Sequence, residues 1–186
     1  PSKIRCLAYG DSITQGLNAT LPSQTWLGQV ALALDADIHN LGVGGACLDE
    51  GLSSIPVPGD FNLITIKYGT NDFCWHLVPQ LRENAAKLVE WNRRAFPNAK
   101  ILLITPMPDF VPGDEEKLDS LGNCREDYRT GLLECAKEIG VPCVYGPDLL
   151  NSPDLMSDGV HPSDAGMKQI SDRLVPIIQE LLAVKG

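Results

Sequence analysis

Residues 4–12 read Ile4-Arg5-Cys6-Leu7-Ala8-Tyr9-Gly10-Asp11-Ser12, a largely apolar run of strand length ended by a glycine, after which come a carboxylate and a hydroxyl side chain. Similar apolar and β-branched runs recur at residues 36–43, 63–68, 100–105 and 141–145, so five strands are expected. Between them Leu77, Leu81, Ala85, Leu88, Trp91 and Ala95 recur at helical spacing, and Ile170, Leu174, Ile177, Ile178 and Leu181 do so in the last segment. Near-continuous apolar strands alternating with helices predict a parallel sheet covered on both faces and joined by right-handed crossovers. The expected class is α/β, a three-layer α/β/α sandwich on a five-stranded parallel sheet, with residues 1–186 as a single domain.

In such sheets ligands bind outside the carboxyl ends of the strands. The polar residues of this chain fall there: Ser12 after the first run, Gly44-Gly45 after the second, Asn71 after the third, and His161 beyond the fifth, before the last helix. The longest irregular stretch, from Pro106 to about Glu116, has the length of a functional loop.

Composition narrows the function classes. The length of 186 residues suits one domain, and 44% hydrophobic with 21% charged residues is ordinary for a soluble globular chain. A net charge of −9 disfavours nucleic acid and anionic membrane surfaces, so neither is an expected partner. No apolar run has the length of a membrane span, and Pro1-Ser2-Lys3 leads straight into strand-like sequence, so no targeting segment is expected and a cytoplasmic location is favoured over a secreted mature chain. The six cysteines lack the paired short spacing of a zinc cage. No metal or cofactor is expected. Cys6 and Cys143 sit in apolar runs that suit buried free thiols. Gly42-Val43-Gly44-Gly45-Ala46-Cys47 fails as a dinucleotide fingerprint because cysteine stands where glycine or alanine is needed, and no Walker A pattern occurs.

A serine hydroxyl needs a neighbouring base to become a nucleophile. Of His39, His76 and His161, only His161 has an aspartate three residues earlier, and Asp158 can fix the ring tautomer and stabilise the imidazolium. Each residue also has an ordinary structural reading: Ser12 as a helix cap, Asp158 as a turn former, Ser163 as an N-cap, Asn71 as an Asx-turn. Trp26, Phe73, Trp75 and His76 are candidate pocket walls, against which stands simple core packing. Cys74 lacks an adjacent base in sequence.

Taken together, four blocks in order resemble the SGNH hydrolases, the GDSL esterase and lipase superfamily: Gly10-Asp11-Ser12-Ile13-Thr14-Gln15-Gly16, Asn40-Leu41-Gly42-Val43-Gly44-Gly45, Gly69-Thr70-Asn71-Asp72 and Asp158-Gly159-Val160-His161-Pro162. The resemblance implies the flavodoxin-like SGNH fold, a serine carboxylic ester hydrolase with Ser12, His161 and Asp158 as the catalytic triad, and an oxyanion hole of Ser12, Gly45 and Asn71. Gly45 is chosen over Gly44 because Asn40-x-Gly42-x-x-Gly45 keeps the family spacing. The expected substrate is a small-molecule or carbohydrate ester with a short acyl group such as acetyl. Alternatives are a lysophospholipase or thioesterase of longer acyl preference, and a catalytically silent glycan- or protein-binding module.

Overall fold

The computed structural model describes residues 4–113 and 116–183; the start of the chain, on which the targeting-segment expectation rests, lies outside them. Five strands, β1 (Ile4–Gly10), β2 (Ala36–Gly42), β3 (Leu63–Lys67), β4 (Lys100–Ile104) and β5 (Cys143–Val144), form one sheet in the order β2-β1-β3-β4-β5, every pairing parallel. The helices are α1 (Ser12–Gln15), α2 (Trp26–Leu34), α3 (Asp72–Trp75), α4 (Val78–Ala95), α5 (Arg125–Ile139), α6 (Gly146–Leu149) and α7 (Asp164–Ala183).

Strand alternation divides the core in two. Leu7 and Tyr9 of β1, Ile64 and Ile66 of β3, and Ile101 and Leu103 of β4 join Leu81, Ala85, Leu88, Tyr128 and Leu132 beneath α4 and α5. Cys6, Ala8, Leu63, Leu102 and Ile104 point the other way, against Leu27, Val30, Met167, Ile170 and Leu174 of α2 and α7. The periodic faces read from the sequence thus become the two outer contacts of the sandwich.

The fifth strand is shorter than the run at 141–145. Val141 donates its N–H to Ala136 O, where α5 closes, and Pro142 has no N–H to give. Pro142 O still accepts from Leu103 N, so the ladder begins there but pairs only two residues. Among the described residues, no helix is long and apolar enough to cross a membrane.

Parallel pairing puts all carboxyl strand ends on one edge. Asp11 follows β1 and caps α1, its Oδ1 accepting the Ile13 N–H at 3.0 Å. Val43 N donates to Gly10 O at 3.1 Å, drawing the loop after β2 beside the start of α1. Gly69 follows β3 with φ +109°, a left-handed conformation that glycine adopts without strain, and an added Cβ would stand 2.5 Å from Pro106 Cγ.

Candidate active site

Ser12 is the first residue of α1, 6% exposed, and its Oγ lies 2.9 Å from His161 Nε2, although 149 residues separate them in the chain. The other ring nitrogen, Nδ1, is 2.8 Å from Asp158 Oδ2. With the proton on Nδ1 directed at this carboxylate, Nε2 presents its lone pair to the serine hydroxyl. Of the three histidines, His161 alone reaches Ser12. His39 packs edge-on against Phe61, and His76 bonds Asp72 through Nδ1 at 2.9 Å.

The segment carrying Asp158 and His161 is a tight turn. Asp158 Oδ1 accepts the N–H groups of Val160 at 3.0 Å and His161 at 2.7 Å, so the same carboxylate shapes its own loop and orients the ring. The turn is closed by Ser157 N donating to His161 O at 2.7 Å and by Phe110 N donating to Gly159 O at 2.7 Å, which ties the irregular stretch beyond β4 to the segment carrying His161. Residues 114–115 of that stretch lie outside the described residues. Ser163 Oγ accepts from Gly166 N at 3.3 Å as α7 begins.

Partial burial of Asp158 opposes its ionisation, but hydrogen bonds from the His161 backbone and ring and from Val160 outweigh it and hold its carboxyl at about 2. A depressed carboxylate contributes stability that is present above its ordinary value of 3.8 and lost as pH falls towards about 2. In chemical denaturation, wild type is therefore expected to exceed Asp158→Asn in midpoint at about pH 6, and the gap to narrow steadily on acidification to about pH 2. A gap independent of pH would show that the charge of Asp158 plays no part in holding this turn.

Three donors could meet a negatively charged oxygen near Ser12. The Ser12 N–H stands at the start of α1, ahead of the first intrahelical bond. In the loop after β2, Val43 N bonds Gly10 O, Gly44 N bonds Gln15 Oε1 at 2.7 Å and Ala46 N bonds Val43 O, while the Gly45 N–H has no acceptor among the described residues. Gly45 has φ +76°, with no atom within 4 Å of where a Cβ would be. Asn71 makes no cap bond to its own helix. It donates one Nδ2 hydrogen to Ala46 O at 3.0 Å and keeps the second. The Asx-turn reading of Asn71 therefore does not hold, because its amide reaches across to the neighbouring loop.

The pocket-wall expectations divide. Phe73, Trp75 and His76 line a cavity of about 550 Å³ with Leu118 and Asp119, and Trp75 is 79% exposed. Trp26 is corrected: as the first residue of α2 it turns inward, 1% exposed, into the core with Ile13 and Met167. A second cavity of about 540 Å³ lies beside α1, with Gln15, Thr20, Leu21, Thr25 and Asn40 in its wall.

Among the described residues, Cys47, Asp72 and His76 bring donor atoms within 4.8 Å of one another, close enough to share a metal ion. Asp72, however, already accepts from Leu48 N, Gly69 N and His76 Nδ1, and burial, with nearby Asp72, pushes the Cys47 thiol up to about 12. The cluster acts as a structural knot joining the loops after β2 and β3. All six cysteines are unpaired.

Two residues of this edge escaped the sequence reading. Asn18, with φ 68°, donates Nδ2 to Asp158 Oδ2 at 3.0 Å, and a lone amide beyond the first block offered little signal. Lys67, a charged residue ending an apolar strand, was the more legible sign: it is fully buried against Asp11.

The family model for GDSL-like lipases and acylhydrolases matches residues 8–169. No curated protein sequence matches the chain significantly. Several solved structures share its fold. A protein from Lactobacillus plantarum is 20% identical over 97% of this chain and 98% of that one, with a TM-score of 0.80. A carbohydrate acetylesterase family member from Sinorhizobium meliloti is 20% identical over 97% and 100%, TM-score 0.78. The aryl esterase of M. smegmatis is 19% identical over 96% and 99%, TM-score 0.75.

Proposed function

The chain belongs to the GDSL-like lipase/acylhydrolase family, and on that premise we propose that it is a serine esterase acting through an acyl-enzyme, with short acyl groups on a carbohydrate or small alcohol as its substrates. The observation that carries this reading is the continuous bond chain from Ser12 Oγ through the His161 ring to Asp158, at 2.9 and 2.8 Å.

In the first half-reaction His161 Nε2 takes the Ser12 proton while Oγ attacks the ester carbonyl carbon. The carbonyl oxygen becomes an oxyanion held by the N–H groups of Ser12 and Gly45 and the second Nδ2 hydrogen of Asn71. Collapse breaks the bond to the alcohol, which receives the proton from His161. Water then attacks the acyl-serine, giving its proton to His161, and the acid departs as Ser12 recovers its hydrogen. Asp158 stays ionised throughout and stabilises the transient imidazolium.

Exposed Trp75 beyond Asn71 offers a face for a sugar or aromatic ring, and the cavity beside α1 sets polar Gln15, Thr20, Thr25 and Asn40 among apolar Leu21, Leu27, Ala31 and Ile38, a mixed wall that suits a sugar carrying a small acyl group. The structural neighbours named as a carbohydrate acetylesterase family member and an aryl esterase are compatible with that choice. A longer-acyl preference draws support from exposed Leu17, Leu21 and Val43 at the same edge. A silent binding module predicts Ser12 and His161 too far apart to bond, and their 2.9 Å contact weighs against it.

Hydrolysis of p-nitrophenyl esters from acetate to decanoate separates these readings. Turnover is expected to be highest for acetate and to fall with chain length. A maximum at octanoate or decanoate would replace the short-acyl reading with a long-acyl one. Absence of turnover with every ester, and with acetylated sugars, would favour the binding module.

A further inference from the structure

We propose that the buried Lys67 is a positioning residue that holds two of the three oxyanion donors in register; this rests on the Ser12 esterase reading above. Lys67 ends β3, all of which is buried, and its side chain and that of Asp11 are both fully shielded from solvent. Its ammonium lies 2.8 Å from Asp11 Oδ2, 3.1 Å from Asp11 Oδ1 and 2.9 Å from Thr70 Oγ1. Three donors thus meet three acceptors, with none left over.

The acceptors matter because of their neighbours. Asp11 directly precedes Ser12, and its Oδ1 also holds the Ile13 N–H, so the backbone on both sides of the Ser12 N–H is pinned to the ammonium. Thr70 directly precedes Asn71, whose amide is steadied from the far side by Ala46 O. One buried cation therefore joins the end of β1 to the loop after β3. Those two elements supply the Ser12 N–H and the Asn71 side chain, whose mutual placement sets the geometry offered to the oxyanion.

Fold stability alone does not call for this arrangement. A buried ion pair bears a desolvation cost that often cancels its attraction, and an apolar side chain of similar length commonly serves a core as well. What the pair adds is directional: a fixed set of bonds that permits one relative position of the two loops.

Lys67→Met alone leaves the Asp11 carboxylate buried without its partner, so Tm should fall. Adding Asp11→Asn removes that charge, while the amide oxygen can still accept from Ile13 N, so Tm should recover. Under the proposal kcat does not recover with it: the double variant stays roughly 10–100-fold below wild type with KM little changed. Return of both Tm and kcat to wild-type values would overturn the proposal and leave Lys67 a packing residue. Thr70→Val gives an independent test that leaves the ion pair intact. It should lower kcat while Thr70→Ser keeps it, and equal kcat in the two would also overturn the proposal, including where the double variant does not fold. The rate of Ser12 labelling by a fluorophosphonate separates the two levels of inference. If wild type labels and the well-folded double variant labels equally fast, the positioning role fails alone. If wild type neither labels nor turns over any ester, the esterase reading fails and the positioning role with it.

Discussion

Ser12→Ala is expected to lower kcat for a short-chain ester by about 10⁴–10⁶-fold while leaving Tm unchanged. The substitution removes the atom that attacks the carbonyl in the proposed mechanism and nothing else of weight, because the side chain is small and α1 keeps its Asp11 cap. His161→Ala should cost a similar factor, since without the imidazole no group takes the proton from Oγ. The two losses should not add. Nucleophile and base operate as one unit, so Ser12→Ala/His161→Ala should be no slower than either single variant. Circular dichroism on each protein, with turnover at saturating ester, checks all three at once. Retention of more than about a tenth of wild-type kcat in folded Ser12→Ala would remove Ser12 from the mechanism.

Asn71→Ala is expected to lower kcat by roughly 10²–10³-fold, equivalent to about 2.7–4 kcal/mol of transition-state stabilisation, with little change in KM. The split follows from when the charge exists. A ground-state ester carbonyl needs the second Nδ2 hydrogen only weakly, whereas the tetrahedral oxyanion needs it strongly, so the loss falls on kcat. The substitution also removes the bond to Ala46 O, which helps to place the loop carrying Gly45. A modest loss of Tm is compatible with the assignment. A rise in KM at constant kcat would instead make Asn71 a substrate-binding residue, and wild-type turnover in a folded variant would strip it of any role at the oxyanion.

Much of the architecture was legible because its signals are local. The runs at 4–9, 36–43, 63–68 and 100–105 became β1 to β4 to within two residues at each end, since buried parallel strands are apolar almost throughout. The last strand was overread because apolarity does not register that Val141 is taken by the closure of α5 and that Pro142 cannot donate. Trp26 met a related limit. A tryptophan near a functional loop suits a pocket or a core equally, and only the inward face of α2 decides for the core.

The order of residues by itself determined the α/β class, the alternation of strand and helix, and the placement of Ser12, Gly45 and Asn71 just beyond apolar runs and of His161 between the fifth run and the last helix. These follow from periodicity and from the short reach of the loops. Whether Gly44 or Gly45 keeps an open amide, and what Asn18 and Lys67 touch, was decided only by tertiary structure. The Gln15 bond to Gly44, the Asn18 bond to Asp158 and the Lys67 bonds to Asp11 join residues 29, 140 and 56 apart in the chain. Such contacts depend on which strand ends the parallel sheet sets side by side, a relation that no local pattern of residues contains.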